Sequence, residues 1–117
     1  MDAALELAAR DPPPVAAALA EEWLPARLAE ARPGVLTLVW ESVIWQYLPM
    51  SAQESLYAAL HRAGAAATED APLAWLRMEP GSESFASGFE VRLTTWPDGH
   101  EREIARAGEH GPPVRWA

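Results

Sequence analysis

The sequence predicts an α/β fold: a parallel strand-helix-strand unit, an antiparallel C-terminal hairpin after it and a helical segment before it. Three observations carry that prediction. Residues 35–40, Val-Leu-Thr-Leu-Val-Trp, are continuously apolar or β-branched and follow a turn, as in a strand covered on both faces. Residues 51–63 then place Leu56, Ala59, Leu60 and Ala63 at the i, i+3, i+4, i+7 spacing of one helix face. A second apolar run, residues 73–78, comes at a distance that fits a right-handed parallel crossover.

Taken in order, residues 2–10 read as a short alanine- and leucine-rich helix with Asp2 as its cap. Asp11-Pro12-Pro13-Pro14 stops it, because proline lacks the amide and pushes the residue before it into extended geometry. Residues 15–24 fit either a short strand or alanine-rich helix. Pro25 suits the first turn of a helix running to about residue 31, and Arg32-Pro33-Gly34 ends that element. Residues 42–48 read as a loop or short helical turn. Ser51-Ala52-Gln53-Glu54 has the capping-box pattern, and Gly64 is placed to close the helix in the left-handed conformation. Residues 81–88 read as a polar loop. Residues 89–96 alternate as a strand, Pro97-Asp98-Gly99 turns the chain, and residues 101–107 return antiparallel. After Gly111-Pro112-Pro113 a short extended end is expected at residues 114–116. The spatial order anticipated for the four main strands is first, second, fourth, third.

At 117 residues the chain has the size of a single domain, with a helical N-terminal segment over about residues 1–33 and a sheet core over 34–117. There are no cysteines, so neither a disulfide framework nor a thiolate metal site can form. A formal net charge of −8, with nine arginines spread from Arg10 to Arg115, argues against nucleic-acid binding and against an anionic membrane surface. No apolar run is long enough to span a bilayer and no signal pattern opens the sequence, so a cytoplasmic location is expected. His61, His100 and His110 lack metal-ligand spacing, and no catalytic residue can be assigned.

Ligands of open α/β sheets collect at the carboxyl ends of parallel strands. Glu41, Ser42, Trp45, Gln46 and Tyr47 follow the first strand; Arg77 and Glu79 end the second. As a ligand-binding set, Glu41, Ser42, Trp45, Tyr47, Arg77 and Glu79 would supply carboxylates for acid/base or ligand contact and aromatic walls. The simpler alternative, and the favoured one, pairs Arg77 with a nearby glutamate and buries the aromatics. The run 101–103 reads as a solvated acidic face. The six tryptophans read mainly as core, with any exposed one marking a partner surface.

Three stretches carry a family resemblance: residues 35–49 ending in Trp45-Gln46-Tyr47-Leu48-Pro49, residues 71–80 (Ala-Pro-Leu-Ala-Trp-Leu-Arg-Met-Glu-Pro) and residues 93–99 (Leu-Thr-Thr-Trp-Pro-Asp-Gly). They resemble the C-terminal part of an uncharacterised bacterial family catalogued as domain of unknown function 2332, over about residues 5–116. Members of that family are usually longer, so the chain looks truncated at its N-terminal side. The layout is also similar to the second half of class I methyltransferase folds, which implies half of a Rossmann-like sheet. The resemblance implies no cofactor in this chain, with S-adenosylmethionine reserved for a longer parent, because the seven glycines show no G-x-G spacing. A half-sheet also exposes an edge, which implies a homodimer or the missing N-terminal half as partner. The function expected is therefore the C-terminal half of a methyltransferase-like protein, or else a noncatalytic interaction or homo-oligomerisation module.

Overall fold

The computed structural model describes residues 2–30, 32–81 and 88–117. Two helices, α1 (Asp2–Arg10) and α2 (Ala20–Leu28), precede strand β1 (Thr37–Ser42). A 3-10 turn at Trp45–Tyr47 leads into α3 (Met50–Ala66), followed by β2 (Leu73–Pro80), β3 (Phe89–Trp96), β4 (His100–Gly108) and β5 (Gly111–Trp116). The α/β class is as anticipated: N-terminal helices, a mixed sheet and an antiparallel C-terminal hairpin. Residues 82–87 of the expected polar loop lie outside the described residues.

The strand order is β1-β2-β3-β4-β5. β1 and β2 run parallel, with Thr37 opposite Leu73 and Glu41 opposite Arg77. The remaining pairs are antiparallel. The anticipated order, with the fourth strand between the second and third, is not found. β3 pairs directly with β2 over its whole length, from Leu73 opposite Trp96 to Pro80 opposite Phe89, and so fills the edge that order would have kept for the fourth strand. β1 also departs from expectation. It begins two residues late and lies at the sheet edge, and alternate residues reach solvent, with Leu38 and Trp40 each 53% exposed. A strand covered on both faces would have hidden them.

Helix limits shift for identifiable reasons. Pro25 sits inside α2 rather than in its first turn. The helix starts upstream, where Glu21 and Glu22 favour its positive end, and only the Glu21 carbonyl loses its usual amide partner. α3 opens on Pro49, whose carbonyl accepts the amides of Ala52 and Gln53 at 2.9 and 3.0 Å. Ser51 therefore lies within the first turn, and the capping box does not form. Gln53 works elsewhere: its Nε2 donates to the carbonyls of Trp45 and Leu48, both at 3.0 Å, and ties the 3-10 turn to the helix.

Leu60, Leu73, Trp75 and Trp96 form the main core between α3 and the sheet, with Leu24 and Leu28 of α2 packed against it. Gly64 does not end α3. It is buried against the Trp96 indole, so closely that a Cβ would overlap the ring. Glycine is required there for the approach of helix to sheet. Gly64→Ala is expected to destabilise the chain by roughly 1–2 kcal/mol, as overpacking outweighs the better helix propensity of alanine. Urea unfolding checks this, and a stability equal to or above that of the parent chain would contradict the packing assigned to Gly64.

Candidate functional site

The register of the strands decides which side chains share a face. Glu41 on β1 lies opposite Arg77, and residues two apart along β2 place Trp75, Arg77 and Glu79 on that same face. Across β3 the partners of these three are Thr94, Arg92 and Glu90, and across β4 the row continues with Glu101, Glu103 and Arg106. Half of this face lies under α3. The half toward the carboxyl ends of β1 and β2 carries the charges.

Two arginines meet across β2 and β3, as do two glutamates, an arrangement that repels unless diagonal neighbours compensate. They do so here. Arg92 Nε donates to Glu90 at 2.7 Å and its Nη1 to Glu101 at 3.1 Å, while Arg106 bonds Glu103 at 2.8 Å and Glu90 at 3.3 Å. The hydrogen bond to Glu90 is the main cause that holds the Arg92 guanidinium more firmly protonated than usual. Arg77 Nη2 meets Glu101 at 2.5 Å, with its guanidinium 4.5 Å from the Trp75 ring centre. The run Glu101–Glu103 is thus a counter-charge for arginines on three strands, not merely a solvated face.

With Arg77 engaged by Glu101, the two strand-end carboxylates have weak compensation. Glu79 Oε1 accepts the backbone amides of Ile44 and Trp45 at 2.9 and 3.1 Å. Those amides are aimed by Val43, a β-branched residue at φ 53, whose own amide bonds the Met78 carbonyl at 2.9 Å. A positive φ is costly for valine and is sustained by the surrounding contacts. Trp45 packs at a tilt of 47° against Trp75, with ring centres 5.8 Å apart, and closes one side. Among the described residues, Glu79 Oε2 and Glu41 Oε1 are buried without a hydrogen-bond partner. Burial first, and the Glu79 charge second, push the Glu41 carboxyl up to about 7, against opposing pulls from Arg77 and a hydrogen bond from Trp75. Such a group is poised to give or take a proton near neutrality.

Of the six residues anticipated from sequence, Glu41, Trp45, Arg77 and Glu79 come together. Ser42 does not: it follows Glu41 on a strand and so points to the opposite face, exposed. Tyr47 is 72% exposed and lies outside the carboxylate group. Sequence reasoning missed Trp75, Arg92, Glu101 and Gln53 as parts of the site. Strand alternation links Trp75 to Arg77, but the register that brings in Arg92 and Glu101 has no local signature. A cleft of about 320 Å³ lies elsewhere, between α2, α3 and β1, lined by residues including Leu28, Ala63 and Leu73 but neither Glu41 nor Arg77. The strand-end carboxylates therefore lie outside the wall of that cleft. Among the described residues no group of three or more histidines or carboxylates is placed to hold a metal, and no helix is long and apolar enough to cross a membrane.

A family model described as "Uncharacterized protein conserved in bacteria (DUF2332)" matches residues 1–116. The chain belongs to this family. No curated protein and no solved structure matches this DUF2332 chain, so its site has to be read from its own chemistry.

The raised Glu41 value has a consequence for stability. The folded chain holds this proton more tightly than the unfolded chain, whose ordinary value is 4.5, so the linked stability is full below that value and declines as pH rises through about 7. Glu41→Gln keeps the shape without the charge. It is expected to stabilise by roughly 1–2 kcal/mol near pH 8, after allowance for solvent screening, and to be close to neutral near pH 4. Urea unfolding at both pH values measures this, and an equal effect at the two would contradict the assignment.

Proposed function

We propose that this chain is the substrate-side half of a methyltransferase-like α/β protein, with no complete cofactor site of its own. The observation that carries the reading is the pair of buried, unpartnered oxygens, Glu41 Oε1 and Glu79 Oε2, at the carboxyl ends of two parallel strands. Ligands of open α/β sheets gather there, and buried acceptors without partners call for a donor. The residues present do not fit S-adenosylmethionine itself, because the turn after β1 contains no glycine and leads directly into the 3-10 turn. That cofactor would be held by other parts of a longer parent and would supply a methyl group there.

This chain's own part is to receive the acceptor molecule. Glu79, held by two backbone amides, orients a hydrogen-bond donor such as an amine or hydroxyl. Glu41, poised near neutrality, takes the proton that such a group must lose. Trp45, backed by the buried Trp75, supplies the apolar wall. Isothermal titration with S-adenosylmethionine tests the reading on this chain and on a longer member of the family. Heat is expected from the longer protein and none from this chain. Silence from both would remove the methyltransferase reading.

A second reading, a noncatalytic oligomerisation module, is favoured by the sheet edges. β5 carries Pro112 and Pro113, and prolines blunt an edge by withholding amides. β1 is the other edge and contains no proline and no lysine. Pairing through β1 predicts an assembly larger than one chain in light scattering, and a strict monomer at every concentration would count against it.

A further inference from the structure

The turn beside the strand-end carboxylates is tied down by side chains. Within residues 43–48 the amides of Tyr47 and Leu48 bond the carbonyls of Ile44 and Trp45 at 3.0 and 3.1 Å. The amides of Ile44 and Trp45 both donate to one oxygen, Glu79 Oε1. Gln53 holds the far end through the carbonyls of Trp45 and Leu48. At the near end Val43 acts as a pivot. Its amide bonds the Met78 carbonyl, and its side chain packs against the buried cluster of Met78, Phe89 and Ala107.

The second oxygen of Glu79, Oε2, is buried without a partner, and so is Glu41 Oε1. Both carboxylates lie on one face, since Glu41 is opposite Arg77 and Glu79 follows two residues along β2. They are near enough for the Glu79 charge to act on Glu41. The arginines are committed elsewhere: Arg77 to Glu101, Arg92 to Glu90 and Glu101, Arg106 to Glu90 and Glu103. A hydrogen bond from Trp75 reaches Glu41 and still leaves Oε1 unpartnered. A carboxyl that keeps its proton has an O–H to donate, so one proton can satisfy both orphan oxygens.

We infer that Glu41 and Glu79 share one proton, and that this carboxyl–carboxylate pair is a latch holding the 43–48 turn shut over the site. Loss of the proton to water leaves two carboxylates close together with little solvent, and like charges so placed do not both stay buried. Register fixes the backbone of both glutamates, so the turn is the part that yields. Glu79 swings toward water, the Ile44 and Trp45 amides lose their acceptor, and Trp45 lifts from Trp75. The positive φ of Val43 favours release, because a β-branched residue there relaxes once its contacts loosen. Burial holds the Glu41 carboxyl at about 7 against an ordinary 4.5, so the latch is full below 4.5 and lost as pH rises through about 7.

The other titratable groups facing the pair do not provide this switch. Arg77, Glu90, Arg92, Glu101, Glu103 and Arg106 are ion-paired along the ladder. From α3, Tyr57 meets the edge of Trp75 and Glu54 is exposed. His61 contacts Tyr57 and Trp96, and Trp96 pairs with Leu73 at the amino end of β2, away from Glu41. Tyr47, in the turn itself, is exposed. The latch requires no methyl transfer, and no cofactor enters its test, so it and the methyltransferase reading can fail separately.

Two-dimensional NMR of the whole chain at about pH 6 and about pH 8.5 tests the latch, with circular dichroism verifying that each variant is folded. At the lower pH, nuclear Overhauser contacts between Trp45 and Trp75 are expected. At the higher pH they are lost and the Ile44 and Trp45 amide protons shift upfield, while the core contact between Leu60 and Trp75 persists. Glu41→Gln replaces the shared proton with an amide donor and is expected to keep the turn shut at both values. Glu79→Ala removes the acceptor and is expected to leave it open at both. Contacts between Trp45 and Trp75 unchanged by pH in the parent chain overturn the inference. So does opening that persists in Glu41→Gln, which would assign the pH dependence to His61. So does loss of the Leu60 contact together with the turn, which would show general loosening rather than a latch.

Discussion

The close approach of α3 to β2 and β3 is the constraint from which the remaining structure follows. Leu60 and the tryptophans Trp75 and Trp96 are almost wholly buried, and Gly64 brings the helix backbone onto the Trp96 ring. That contact sets which face of the sheet is inside. It thereby fixes the side on which Glu41, Arg77 and Glu79 emerge, since strand residues two apart share a face. A slip of one residue in β2 would send Trp75 to the opposite face and scatter the charged cluster with it.

The same packing explains why the carboxylates of the site are poorly compensated. α3 covers the amino ends of β1 and β2 and the carboxyl end of β3, leaving the opposite half of the face to polar groups. There the antiparallel strands bring arginine beside arginine, and the glutamates of β4 are consumed in relieving that repulsion. Arg77 is drawn toward Glu101, so Glu41 keeps a neighbouring negative charge and little solvent. A raised carboxyl is the result of this competition. It reflects the whole ladder rather than any one neighbour.

The two faces of the sheet have separate characters. One is part core and part acid-rich ladder; the other buries Met78, Phe89 and Ala107 in a smaller core cluster and leaves Leu38, Trp40, Val114 and Trp116 exposed on the edge strands β1 and β5.

Local signals by themselves determined much of this protein. The long helix, the second strand, the Phe89–Trp96 strand and the hairpin turn at Pro97-Asp98-Gly99 are all readable from periodicity and turn chemistry. The gathering of Glu41, Trp45, Arg77 and Glu79 was legible too, because strand ends place them. Strand order was not, since nothing in residues 89–107 states which neighbour each strand will choose. Gly64 reads as a helix end until Trp96 is seen beside it, and Gln53 as part of a cap until the Trp45 carbonyl is seen to need a donor. Ser42 and Glu41 are adjacent in sequence yet belong to opposite faces. Local sequence specifies what each segment prefers to be, whereas register and face are settled by contacts between residues distant along the chain.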